Sequence, residues 1–220
     1  MSFIKKNTTN WNIHLYFGNQ DRNVNLVQLT VNLETNQFEE NGRVKYIGHT
    51  DHVRGLSFDN NSNNFASCSD DGTVRVWPAD SKLMSRDIQS TNIFETHNHD
   101  VIAVDFKMNI VASGGKDRRL VVHDLNSKSK TKSKNTKNYK EILTSSIVTS
   151  LLLSDDGKEI YVGGGDGRLK IFKIGEKTLE MVVDEKIYDN KILTIKKINE
   201  LIITASHDEI SHITIWRHSR

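Results

Sequence analysis

The chain has 220 residues, 36% of them hydrophobic and 26% charged, and its formal net charge is only +2. This length suffices for one domain with a sizeable core, whereas no apolar run approaches the ~20 residues of a membrane-spanning helix and residues 1–7 are too polar for a secretory signal. The single cysteine, Cys68, has no intramolecular disulfide partner and is predicted to be a buried packing thiol. We therefore expect a reducing compartment, the cytoplasm or the nucleus, and no association with a membrane.

One short pattern recurs along the chain: a run of small residues, an acidic turn, and an alternating strand that ends on an aromatic residue or on a residue in its place. The first copy, residues 15–29, is degraded and has Asp21 in its turn. Clearer copies follow at residues 65–77, 112–124, 161–172 and 203–216. Their turn aspartates are 46, 49 and 42 residues apart, at Asp71, Asp117, Asp166 and Asp208. A period of about 40 to 50 residues predicts a repeat architecture.

The strands and turns of each copy follow from local chemistry. Alternation in residues 73–77 and 168–172 places apolar side chains on one face of each strand. The Asp–Gly turns supply the residues of positive φ that tight hairpins need, and residues 154–158 form another such turn. The single proline, Pro78, follows a strand and interrupts no central ladder. Since no stretch shows helical periodicity, the sequence predicts an all-β fold.

The recurring pattern resembles the WD40 repeat, which builds β-propellers from four-stranded blades. In that family a His before the first strand of a blade, a Ser or Thr in the second strand, an Asp in the turn and a Trp in the third strand form a hydrogen-bonded tetrad. His123 and Phe172 stand in the Trp place of two copies, and Tyr188 lies near the His place of the last. The resemblance implies structural tetrad positions, complete in one copy and partial in three, at His49, Ser67, Asp71 and Trp77; His97, Ser113 and Asp117; Asp166; and Thr204, Asp208 and Trp216.

The resemblance also implies a single WD40-like β-propeller domain over residues 1–220, with about five blades and an open or incomplete ring. The expected repeat units are residues 1–47, 48–95, 96–143, 144–184 and 185–220. Residues 2–6 provide either the inner strand of the first unit or the outer strand of the last, so one unit is left short. Three arrangements stay open: a small or open propeller, one completed by another chain, and a portion of a longer one. An exposed strand edge favours self-association or pairing with a strand of a partner.

Residues 126–140 form a segment rich in Lys and Ser, which we expect to be disordered because Tyr139 is its only apolar residue. The segment contains six lysines, Lys128, Lys130, Lys132, Lys134, Lys137 and Lys140. Without them the formal net charge of the chain would change from +2 to −4. The segment is a candidate for contact with nucleic acid or acidic proteins, for nuclear localisation, or for phosphorylation. The alternative is a solvated insertion, because lengthening a loop costs little free energy.

No catalytic constellation stands out, so the chain is predicted not to be an enzyme and to use no cofactor or metal. His97, His99 and Asp100 resemble a metal-ligand cluster, but His97 has the structural place that His49 has in the previous unit. No CxxC or HExxH spacing supports a metal site. The glycine run at residues 163–167 lacks the spacing of a phosphate-binding loop and precedes a strand rather than a helix.

The class of function that remains is an interaction module, a domain that binds other macromolecules. By family position, contact-prone residues lie at the start of the inner strand and just before the turn Asp, with Thr149 and His207 as weaker placements. They define a candidate protein-binding rim: His52, Arg54, Asp70, Asp100, Ile102 and Lys116. Arg54 is the strongest candidate, because Arg anchors interfaces more often than Lys or Asp does. The main hypothesis is a protein-interaction scaffold that acts as a subunit or adaptor of a larger complex. The alternative is an RNA-associated or ribonucleoprotein-assembly factor that uses the lysine-rich segment, whose binding would weaken steeply with salt.

Overall fold

The structure is a computed structural model that describes residues 2–5 (backbone only), 10–59, 63–79, 87–127, 139–206 and 213–217. These residues form nineteen β-strands in five antiparallel sheets and contain no helix, which confirms the all-β prediction. Accordingly, the described part of the chain holds no helix with the length and hydropathy of a membrane span.

Each sheet is built from strands that follow one another in the chain. The first sheet contains β1 (Ser2–Lys5), β2 (Asn10–Gly18), β3 (Val24–Asn32) and β4 (Gln37–Tyr46). The second contains β5 (Val53–Phe58), β6 (Asn64–Ser69), β7 (Val74–Pro78) and β8 (Asn92–Phe94). The third contains β9 (Val101–Lys107), β10 (Ile110–Gly115), β11 (Arg119–Asp124) and β12 (Tyr139–Leu143). The fourth contains β13 (Val148–Leu153), β14 (Glu159–Gly164), β15 (Arg168–Ile174) and β16 (Leu179–Lys186). The fifth contains β17 (Ile192–Ile198), β18 (Leu201–Ser206) and β19 (Ile213–Arg217).

The tight turns between the second and third strands need a left-handed residue. Gly72 in the second sheet has a φ of 79°, and Gly167 in the fourth has a φ of 74°. The third sheet has Arg118 at the corresponding place with a φ of 61°. At Gly167 a Cβ atom would also collide with the carbonyl oxygen of Tyr188, so this turn requires glycine for space as well as for conformation.

Consecutive sheets stack face to face, so the sheets in the middle of the array are buried on both faces. Their inner strands β5, β9, β13 and β17 are neighbours in that order, and β2 of the first sheet contacts β5. Apolar clusters fill the spaces between sheets; the cluster between the first two contains Tyr46, Phe65 and Trp77, all fully buried. Among the strands that the structure describes, no extensive contact joins the first sheet to the fifth. The five sheets therefore form an open arc.

The pairing of β1 decides which sheet the N-terminal strand completes. Phe3 lies opposite Ile13 of β2, and Lys5 lies opposite Trp11. In the described residues the fifth sheet has three strands. Residues 2–5 therefore serve as the inner strand of the first sheet and not as the outer strand of the last.

The lysine-rich segment falls mostly outside the described residues. Residues 128–138 are not described, so the predicted disorder of these residues stays a prediction. At the C-terminal end of the segment, Tyr139 and Lys140 begin β12 and pair with His123 and Val122 of β11. The ring of Tyr139 lies 5.4 Å from that of His123, so an aromatic contact accompanies this pairing.

Candidate functional site

The second sheet contains a complete relay of four side chains. Nε1–H of Trp77 donates to Oγ of Ser67 at 2.8 Å, and Nε2 of His49 lies 2.7 Å from the same oxygen. Nδ1 of His49 lies 2.9 Å from Oδ2 of Asp71. Because the carboxylate only accepts, Nδ1 carries the hydrogen, and Ser67 therefore donates its own hydrogen to Nε2. The relay fixes the loop before β5 onto the turn after β6.

The carboxylate of Asp71 accepts further hydrogen bonds from the backbone. The N–H of Thr50 donates to Oδ2 at 2.9 Å, and both the N–H and the hydroxyl of Thr73 donate to Oδ1 at 2.8 Å. Burial alone would raise the pKa of Asp71, but the hydrogen bonds from His49, Thr50 and Thr73 hold this pKa well below its usual range. Asp71 is therefore an ionised structural group.

The third sheet keeps three members of the relay and replaces the fourth. His97 lies 2.9 Å from Oγ of Ser113 through Nε2 and 3.0 Å from Oδ2 of Asp117 through Nδ1. His123, in the Trp place, does not extend this relay; its Nε2 lies 3.3 Å from the Thr96 hydroxyl and its ring stacks on Phe94 with centroids 3.9 Å apart. Burial and the charge of His97 lower the pKa of His123 to about 4.

The fourth sheet surrounds Asp166 with residues that the family pattern does not contain. The Ser145 hydroxyl donates to Oδ2 of Asp166 at 2.9 Å, and the N–H of Arg168 donates to Oδ1 at 3.2 Å. Nζ of Lys170 lies 3.4 Å from Oδ2, and the Lys170 side chain is only 3% exposed. Asp166 is thus not left without partners by the loss of the His, Ser and Trp positions. A buried lysine provides the positive partner instead.

In the fifth sheet Tyr188 forms hydrogen bonds with both the second and the third strand. The Tyr188 hydroxyl donates to the carbonyl of Thr204 at 2.8 Å and accepts from the N–H of Thr214 at 3.0 Å. Nε1 of Trp216, expected to join a tetrad, is buried and has no hydrogen-bond partner among the described residues. Asp208 and His207 lie outside the described residues.

A repeated backbone hydrogen bond brings the rim positions together at the same end of each sheet. The N–H of the residue before the turn Asp donates to the carbonyl of the residue that precedes the inner strand: Asp70 to His52 at 3.0 Å, Lys116 to Asp100 at 2.9 Å, and Gly165 to Ile147 at 2.9 Å. Of the three sheets in which this bond is described, the second and third have charged residues at these places, whereas the fourth has Gly165 and Ile147.

In the second sheet the rim charges form a forked ion pair. Nε of Arg54 donates to both carboxylate oxygens of Asp70, at 2.8 and 2.9 Å, and the guanidinium reaches Oδ2 a second time through Nη2. Nδ1 of His52 lies 3.7 Å from the same carboxylate. The hydrogen bond with Asp70 raises the pKa of Arg54. The Arg54 side chain nevertheless stays 47% exposed.

In the third sheet the charges occupy the rim in the opposite order. Asp100 stands at the place of His52, and Lys116 stands at the place of Asp70; Nζ of Lys116 donates to Oδ2 of Asp100. Nδ1 of His99 lies 2.7 Å from the other oxygen of Asp100. The Lys116 hydrogen bond lowers the pKa of Asp100. Ile102, the second residue of β9, is half-buried.

A shallow cavity of about 320 Å³ separates the two ion pairs. Its walls are the turn at residues 70–72 of the second sheet and the loop at residues 97–100 that leads into the third. The acidic members of the two pairs, Asp70 and Asp100, both line this cavity, one from each wall.

The arrangement gives little support to metal or thiol chemistry. Donor atoms of Asp51, His52 and Asp70 lie within 4.8 Å of one another, but the Asp70 carboxylate is already engaged by the Arg54 guanidinium. The Cys68 thiol is fully buried, and this burial raises its pKa, so it is not an activated nucleophile.

Comparison with known proteins identifies the repeat. Residues 42–78 and 137–173 match the family described as WD40, "WD domain, G-beta repeat". Over 112 residues the chain is 36% identical to the "Ribosome biogenesis protein YTM1" of Debaryomyces hansenii, covering 50% of this chain and 24% of that protein. Over 177 residues it is 29% identical to the "WD repeat-containing protein slp1" of Schizosaccharomyces pombe, covering 77% of this chain and 33% of that protein. The chain thus spans at most a third of the length of either relative.

A solved structure supports the same fold. A chain in the structure described as "Crystal Structure of Mitotic Checkpoint Complex" superposes with a TM-score of 0.68 at 22% identity, covering 90% of this chain and 60% of that one. Together with the five stacked sheets, this similarity confirms the prediction of a WD40-like propeller that is open in the described residues.

Proposed function

Because the chain is a WD40-repeat protein, we propose that it is a non-enzymatic scaffold that binds another protein through the charged rim. The proposed contact residues are His52, Arg54, Asp70, Asp100, Ile102 and Lys116. They are carried by two adjacent sheets whose turns are fixed by the hydrogen-bonded relays beneath them. The rim is therefore a rigid surface, and binding through it requires little loss of conformational freedom.

The observation that carries the proposal is the reversed order of the two ion pairs. In one sheet the cation Arg54 stands on the inner strand and the acid before the turn, whereas in the next the acid Asp100 precedes the inner strand and the cation Lys116 stands before the turn. Such a pattern selects a partner surface with the complementary order of charges and rejects one without it.

Exposure makes these pairs suitable for exchange with a partner. The side chains of Arg54 and Lys116 are 47% and 48% exposed. Their partners Asp70 and Asp100 are only 11% and 18% exposed, so the two cations are the members of these pairs that an incoming carboxylate can reach. Arg54 is the expected anchor, because its planar guanidinium can bind a carboxylate through two hydrogen bonds.

Affinity purification with mass spectrometry tests the proposal. We expect Arg54→Glu and Lys116→Glu to lose the same set of co-purifying proteins, with unchanged thermal stability. Arg43→Glu is the matched control, because Arg43 is an exposed arginine of outer strand β4 that pairs with Glu40 outside the rim. If both rim variants retain every partner that the Arg43→Glu variant retains, the rim is not the binding surface.

A second candidate function is assembly of a ribonucleoprotein in the nucleus or cytoplasm. Two observations favour it: half of the chain is similar to a protein described as acting in ribosome biogenesis, and the six lysines of the Lys128–Lys140 segment give a local positive charge. Binding of RNA through these lysines should weaken steeply as salt rises. We expect Gln substitution of all six to abolish such binding while leaving rim-dependent partners in place. Salt-independent binding of RNA, or none at all, would rule this function out.

A further inference from the structure

One packing face is repeated in every sheet of the arc. In each sheet this face consists of two cross-strand residue pairs, in which a residue of the second strand lies opposite a residue of the third. The two pairs occupy corresponding places in the strand pairing of every sheet. The pairs are Tyr16–Leu26 and Gly18–Val24; Ala66–Val76 and Cys68–Val74; Ala112–Val122 and Gly114–Leu120; Tyr161–Ile171 and Gly163–Leu169; and Ile203–Ile215 and Ala205–Ile213. We call this face the forward face, because in the first four sheets it points toward the next sheet.

The complement of the forward face is a β-branched residue at the start of the next inner strand. A Cβ added at Gly18 would collide with Val53, one at Gly114 with Val148, and one at Gly163 with Ile192. The small residue therefore makes room for the branched side chain of the neighbouring sheet. This contact explains why the forward faces of the first four sheets are buried.

The forward face of the fifth sheet has the same chemistry, but no sheet among the described strands covers it. Ile213 and Ile215 are 71% and 61% exposed, whereas their counterparts Leu169 and Ile171 in the fourth sheet are each 3% exposed. The small residue is also retained, as Ala205. The fifth sheet thus presents a complete forward face to solvent.

The first sheet exposes the opposite kind of face. Its backward face contains the pairs Leu15–Val27 and Phe17–Asn25, which occupy the register of Val111–His123 and Ser113–Val121 in the third sheet. Leu15 is 36% exposed and Phe17 is 41% exposed. In the described strands, neither end of the arc has extensive contact with the other.

We propose that the forward face of the fifth sheet in one copy of this chain binds the backward face of the first sheet in a second copy. The chain thus presents an apolar forward face at one end of the arc and, at the other end, a backward face on which Leu15 and Phe17 are partly exposed. The contact is head-to-tail and heterologous, so it can add further copies in the same direction. It also removes from water two apolar faces of a kind that soluble monomers rarely leave exposed.

Sedimentation velocity across a series of protein concentrations tests this proposal. We expect the chain to form oligomers whose size increases with concentration. Ile215→Lys should give a monomer by removing the forward face, and Phe17→Lys should give a monomer by removing the backward face. Leu143→Lys is the matched control, because Leu143 is 71% exposed but lies on outer strand β12 of the third sheet. It should associate as the unaltered chain does.

Mixing the two monomeric variants separates this interface from unspecific aggregation. Each variant retains one intact face, so an equimolar mixture should form a one-to-one dimer that does not grow further. Circular dichroism of each variant should match that of the unaltered chain, because both substituted side chains are partly exposed. A chain that stays monomeric at all concentrations, association unchanged by Ile215→Lys, or a mixture without dimer would each overturn the proposal.

Discussion

The pair of Asp166 and Lys170 gives the sharpest test of how the fourth sheet replaces the family tetrad. The Lys170 side chain is 3% exposed, and its Nζ lies 3.4 Å from Asp166 and 3.9 Å from Asp184. Removing one partner of a fully buried ion pair costs about 3–5 kcal/mol, because the other charge is left without compensation. Since Asp166 is 27% exposed and Asp184 remains, we expect Asp166→Ala to lower the free energy of unfolding by roughly 2–3 kcal/mol.

The reverse substitution should cost less. Lys170→Met keeps the buried methylene packing, and Asp166 keeps its hydrogen bonds from Ser145 and from the N–H of Arg168, so we expect a loss of about 1 kcal/mol. The double variant then leaves no unpaired charge and should be more stable than Asp166→Ala alone. This gives a coupling energy of about 2 kcal/mol in the double-mutant cycle.

Urea denaturation of the four proteins measures this coupling. The exposed pair of Glu40 and Arg43 is the control, for which we expect no measurable coupling because both groups are open to solvent. If the effects of Asp166→Ala and Lys170→Met add to within about 0.5 kcal/mol, the two charges do not interact and the assignment of Lys170 as the replacement partner is wrong.

Three further predictions concern single positions. Asp71→Ala should lower the free energy of unfolding by roughly 2–3 kcal/mol, because buried donors lose a charged acceptor, and an unchanged denaturation midpoint would contradict this. The pKa of His123 is lowered to about 4, so the folded chain binds fewer protons than the unfolded chain below the ordinary value of 6.5. Stability should therefore fall as pH falls through that window, by roughly 2 kcal/mol at pH 5, and His123→Phe should reduce the pH dependence of Tm. Gly167→Ala should lower Tm more than Gly157→Ala, because both have positive φ but only the first collides with the carbonyl oxygen of Tyr188.

The spacing of the turn aspartates predicted a repeat architecture, and the resemblance to the WD40 repeat implied the propeller. Asp71 and Asp117 stand at the predicted hairpin turns, and β1 pairs with one of the two strands that the sequence left as alternatives. These features depend on local turn chemistry and on strand order, both of which are written in the sequence. The partners of Asp166 were not predicted. Lys170 alternates with apolar residues and so resembles the solvent-facing side of a strand, but stacking of neighbouring sheets buries both faces.

The sequence predicted which residues lie on the rim, but it did not predict the ion pairs that they form. Family position placed Arg54 and Asp70 at one end of the second sheet, and Asp100 and Lys116 at the same end of the third. Their pairing depends on the backbone hydrogen bond between the residue before each turn and the residue before each inner strand, which only the three-dimensional register reveals. A search for opposite charges at these two places would have found Asp100 and Lys116, but not Arg54, which lies two residues beyond His52 on the inner strand β5.

Two neighbouring carboxylates of the second sheet belong to different surroundings, one to the buried relay and one to the proposed binding rim. Asp71 points into the relay with His49 and is ionised by buried hydrogen bonds, whereas Asp70 points outward to the half-exposed Arg54. Both belong to the same tight turn, which Gly72 closes with a φ of 79°. The turn therefore transmits the rigidity of the relay to the rim. It follows that substitution of Arg54 should weaken binding without loss of stability, whereas substitution of Asp71 should weaken both, because the rim loses its support.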